Sequence, residues 1–89
     1  KKVFYIRELQ TEVELLAAAE TDVDIKTALA QLAEKIRFSD PMSNEQLADL
    51  ENKISAKVLE LKTAANKKEV IAEITLLLDE RNRECKFLK

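Results

Sequence analysis

Few side chains in this chain could attack a substrate or shuttle a proton at neutral pH: there is one cysteine, Cys85, and no histidine. A thiol becomes a nucleophile or a metal ligand when a neighbouring base or cation lowers its pKa. With no imidazole and no second cysteine, Cys85 has no activating His, no resolving thiol and no sulfur partner for zinc. Its expected role is that of a buried structural thiol. The absence of histidine also removes the chemistries most often housed in helical bundles, including His phosphotransfer, His-ligated haem and the Glu-x-x-His ligands of di-iron sites.

Glycine is missing altogether, so a glycine-rich phosphate loop is excluded. Carrier-protein bundles have a similar size, but their Asp-Ser-Leu attachment motif is absent, and Ser39-Asp40 runs in the reverse order. The carboxylates are interspersed with lysines and arginines, as on a solvated helix face, and are not gathered as an acid–base pair would be. The formal net charge of −2, from 15 basic and 17 acidic residues, provides no basic stripe for neutralising phosphates. The expectation is a protein without catalytic residues, metal or cofactor, and one that does not bind nucleic acid.

The helices that would carry these side chains are written in the composition. Glycine is absent, proline occurs once, at Pro41, and 46% of residues are hydrophobic. The remainder is rich in Ala, Leu, Glu and Lys, the strong helix formers. Val3, Ile6, Leu9, Val13, Leu16 and Ala17 recur at spacings of three and four and predict a first helix ending near Ala19. Thr21, three residues before Asp24, is the expected cap of a second helix with Ile25, Leu29, Leu32 and Ile36 inward.

Pro41 disfavours helix at Asp40 and ends the second helix nearby. The third is expected to start either at Ser43, with Gln46 completing a capping box and Met42 stapled to Leu47, or at Asp40 with Pro41 in the first turn. Its apolar seam is Leu47, Leu50, Ile54, Val58 and Leu61. Asn66, with Glu69 three residues on, predicts a fourth helix that buries Val70, Ile71, Ile74, Leu77, Leu78, Cys85 and Leu88. Short connections make this an all-α, antiparallel up-down-up-down four-helix bundle, a single domain over residues 1–89. The runner-up is a helical hairpin in which the third and fourth segments form one long coiled-coil helix.

Arg81 falls on the inward face of the fourth helix, where a guanidinium needs an outlet. The expected one is that its stem packs while its head reaches solvent near the bundle end; the other is a specifying ion pair or a polar anchor for a partner. Phe4 and Leu15 fall outside the inward stripe of the first helix, as Leu76 and Phe87 do on the fourth. If those helices are antiparallel neighbours, Phe4 is level with Phe87 and Leu15 with Leu76, and the four form a candidate interface. Phe4, Tyr5, Phe38 and Phe87 are expected at one pole, as an aromatic plug of the core.

These features point to a non-catalytic protein-interaction or self-association module, with a second copy or another protein as partner. No apolar run approaches the ~20 residues of a membrane span. A lone cysteine and the lack of an Asn-x-Ser/Thr acceptor favour the cytoplasm. The first residue is not methionine, so the chain is read as a piece of a longer protein. The alternative is a juxtamembrane helical domain on the cytoplasmic side, tethered by a membrane segment upstream of Lys1.

Overall fold

The structure, a computed structural model, describes residues 4–39 and 45–88, and of the side chains those of 5–39 and 45–87. It contains α1 (Phe4–Ala19), α2 (Val23–Arg37), α3 (Ala48–Leu61) and α4 (Lys67–Leu88), with a short 3₁₀ turn, Glu45–Leu47, leading into α3. There is no strand among the described residues. The bundle measures 39 × 18 × 16 Å. Its core follows the predicted stripes in part: Ile6, Leu9 and Val13 from α1, Leu29, Leu32 and Ile36 from α2 joined by Ala33, which is outside the expected set, Ile54, Val58 and Leu61 from α3, and Val70, Ile71, Ile74 and Leu78 from α4. Leu16, Ala17, Ile25, Leu50 and Leu77, expected inward, are only half-buried, and Val3 and the Leu88 side chain lie outside the described residues. Cys85 is buried near the end of α4.

Each helix end has a local cause. Asp22, not Thr21, caps α2: its backbone is extended, and its Oδ1 accepts from the Asp24 and Ile25 amides at 2.9 and 3.3 Å. Moving the cap one residue brings a charged carboxylate to the helix N-terminus in place of a hydroxyl, which the helix dipole favours. The last turn of α3 tightens through the Lys62 amide to the Leu59 carbonyl and the Thr63 amide to the Glu60 carbonyl. That break separates α3 from α4 and excludes one continuous coiled-coil helix. Asn66 then caps α4, its Oδ1 accepting from the Glu69 amide at 3.4 Å while its side-chain amide donates to Glu69 Oε1 at 3.0 Å.

Regular α-helix starts at Ala48, and its capping residue, Leu47, makes no side-chain cap bond. The two predicted starts, at Ser43 with Met42 and at Asp40 with Pro41, lie outside the described residues. Leu47 itself is buried, and its expected staple partner, Met42, lies outside the described residues.

The helices run up-down-up-down, but their order around the bundle is not their order in sequence. The three-residue link between α1 and α2 and the five-residue link between α3 and α4 force antiparallel hairpins. Residues 38–47 face no such limit: at up to ~3.3 Å per residue they reach about 30 Å, more than twice the diagonal of helices ~8–10 Å apart. Accordingly, α2 lies beside α4 and α1 beside α3. Lys35–Asp79 (2.6 Å) and Asp24–Lys68 (3.8 Å) join α2 to α4 with the same sequence separation, the register of parallel helices. Among the described residues, α1 and α4 occupy opposite corners and do not pack.

A candidate interaction groove and its buried support

The two parallel contacts differ. The α2–α4 side is bridged by ion pairs near both ends of α2. On the α1–α3 side the hydrogen bonds come from one residue near the start of α1: the Tyr5 hydroxyl donates to the Glu51 carbonyl at 2.9 Å and lies 3.4 Å from Ser55 Oγ. Beyond Tyr5 the two helices leave a groove of about 580 Å³, lined by Leu9, Glu8, Glu12 and Leu15 of α1 and by Ser55 and Val58 of α3, among others. Leu9 and Val58 belong to the core and form an apolar floor. Exposed Leu15 lies on the α1 wall, and exposed Leu59 follows Val58 on α3.

Tyr5 is held in place by a buried polar network. Glu51 lies on the inward face of α3, between Leu47 and Ile54, and its Oε2 accepts from Arg81 Nε at 3.1 Å. Arg81 is fully buried, and its Nη1 donates to Asn82 Oδ1 at 3.1 Å. Asn82 donates to Ser39 Oγ at 3.0 Å, and that hydroxyl donates to the Lys35 carbonyl at 2.8 Å. The expectation that Arg81 snorkels out of the bundle is therefore corrected. Seven residues from the end of α4 it is too deep to escape, and an acidic residue of α3 meets it instead. The sequence reading assigned the seam of α3 to Leu50, which is only half-buried, and overlooked Glu51. The available signal was an acid at core spacing on one helix and an Arg at core spacing on its antiparallel partner.

Tyr5 titrates away from its ordinary value. Burial raises its pKa above 10.0 and the Glu51 charge adds to that, whereas the Ser55 hydroxyl and Arg81 oppose it. At the other end of the bundle Lys67 donates to Glu20 at 2.8 Å, and this bond, followed by the Asp22 amide, holds the Glu20 carboxyl below its ordinary value. On the α3–α4 flank the Glu73 carboxylate raises the pKa of Lys57.

The candidate interface residues are placed as follows. Leu15, Leu76 and Phe87 are 66%, 69% and 81% exposed, and the Phe4 side chain lies outside the described set. Because α1 and α4 are diagonal, Leu15 and Leu76 do not share one surface within a copy. Leu15 stands on the groove, and Leu76 and Phe87 stand on the outward ridge of α4. The aromatic plug does not form either. Tyr5 packs inward, but Phe38 and Phe87 are exposed, with the Arg37 guanidinium 5.4 Å from the Phe38 ring centre.

Fold and surface thus define a four-helix bundle with a groove on its α1–α3 side and a buried ion pair beside it. No family model, curated protein or solved structure matches the chain. No helix among the described residues is long and apolar enough to cross a membrane.

Proposed function

We propose that this bundle is a non-catalytic interaction module of the cytoplasm and that it associates with itself. The supporting observation is the placement of exposed large apolar side chains: Leu15 on the lip of an apolar groove, and Leu76 and Phe87 along the outer line of α4. Single exposed leucines are ordinary. A groove floored by core residues, with two large apolar side chains exposed along one line of α4 on the same molecule, fits an associating surface. Sedimentation equilibrium from micromolar to millimolar concentration tests the reading. A rising average mass is expected, and a monomer throughout would refute self-association.

A second reading, a domain seated at the cytoplasmic face of a membrane by an upstream segment, is favoured by the exposure of both Phe38 and Phe87 at the end to which α2 and α4 point. It predicts flotation with anionic vesicles that is lost in a Phe38→Ser, Phe87→Ser variant. A chain that stays in the dense fraction would dismiss it.

A further inference from the structure

Resting on the self-association reading, we infer that the occupant of the α1–α3 groove is the outer ridge of α4 from a second copy, inserted antiparallel to α1, so that copies join head to tail. The ridge consists of Glu69, Ala72, Leu76, Glu80, Arg83 and Phe87, spaced by three and four and all exposed. Its two flanks differ in charge. Arg83 lies toward α2, the side on which Asp79 pairs with Lys35, and Glu80 lies toward α3, the side on which Glu73 pairs with Lys57.

The groove has a matching asymmetry. Its α1 wall carries Glu8 and Glu12 with Arg7 beside them, and its α3 wall, Ser55 and Val58, carries no charge; Lys62, one residue past the end of α3, lines a separate small pocket with Glu20 and Lys67. None of Glu8, Glu12, Lys62, Glu80 and Arg83 has an ion-pair partner among the described residues. Laying the ridge into the groove antiparallel to α1 turns its Arg83 flank to Glu8 and Glu12 on α1 and its Glu80 flank to the uncharged α3 wall. The parallel insertion reverses both and sets like charges together. Charge therefore selects one direction.

The apolar residues select the register. Leu76 lies seven residues before Arg83, and Leu15 seven residues after Glu8, two helical turns in each case. With Leu76 of one copy against Leu15 of the next, Arg83 meets Glu8. The antiparallel α1–α4 alignment that the diagonal arrangement forbids within one copy is satisfied between two. Groove and ridge are different surfaces, so the contact is heterologous and generates a ring or a filament rather than a closed two-fold dimer.

A complementation experiment tests this. Leu15→Glu blocks the groove and spares the ridge, and Leu76→Lys does the reverse; both positions are exposed, and retained helical circular dichroism verifies the fold. Each variant alone is expected to sediment as a monomer, and an equimolar mixture as a dimer that grows no further, because one intact ridge meets one intact groove. Glu8→Arg and Arg83→Glu should each weaken wild-type association about tenfold, the double reversal restoring it. If wild type associates but the mixture stays monomeric, or the double reversal fails to restore association, the ridge-in-groove contact is wrong while self-association stands. A wild type that is monomeric at millimolar concentration overturns both.

Discussion

Removing one member of the Arg81–Glu51 pair is the most informative perturbation of the fold. Arg81→Met leaves the Glu51 carboxylate, whose side chain is only 9% exposed, without its guanidinium partner. Glu51→Leu leaves a fully buried guanidinium without its carboxylate. Breaking a buried ion pair from one side costs about 3–5 kcal/mol. At ~0.05–0.15 kcal/mol per residue the whole chain has roughly 5–13 kcal/mol of stability, so either single variant should lose a large share of it. The double variant removes both charges and fills the space with apolar groups, which is often neutral or stabilising. It also strands the Asn82 oxygen that Arg81 serves, a loss of roughly 1 kcal/mol. Wild-type stability within about 2 kcal/mol is therefore expected, and a coupling between the two substitutions of at least ~4 kcal/mol, against less than ~1 kcal/mol for an exposed pair. The assay is urea unfolding followed by circular dichroism, with trimethylamine oxide added to bring the single variants into range. Single variants each costing under ~1 kcal/mol, or a double variant costing the sum of the singles, would refute the claim that this pair is buried and coupled.

Three other outcomes are expected. Tyr5 is the only tyrosine, so tyrosinate absorbance reads it directly; its native midpoint should lie above 10.0 and return to the ordinary value in urea, since burial raises its pKa. By linkage, the stability this shift contributes is complete below pH 10 and is lost as the pH rises through the folded value, joined by that of Lys57, whose pKa is also raised; alkaline unfolding that preceded tyrosine ionisation would contradict it. Asp22→Ala should cost ~0.5–2 kcal/mol in urea unfolding and Thr21→Ala almost nothing, because the cap bonds come from Asp22. Cys85, buried on α4, should react with a thiol reagent slowly in the native protein and rapidly once unfolded.

The sequence by itself determined what depends on neighbours three and four residues apart. Helical periodicity identified Leu9, Val13, Ile54, Val58, Ile74 and Leu78 as inward and left Leu15, Leu76 and Phe87 outside, because a side chain's azimuth on a helix follows from its position alone. Asn66 with Glu69 marked the start of α4 for the same local reason. The tertiary structure decided which helices adjoin. The links 20–22 and 62–66 are too short to allow a choice, but residues 38–47 can place α3 beside α2 or across from it, and the packing of all four apolar faces settles that question. The same holds for the polar interior: Arg81 and Glu51 are 30 residues apart, and only the α3–α4 hairpin register brings the two charges together. The open α1–α3 side follows from both decisions, since it is where two parallel helices meet with Tyr5 bridging them at one end.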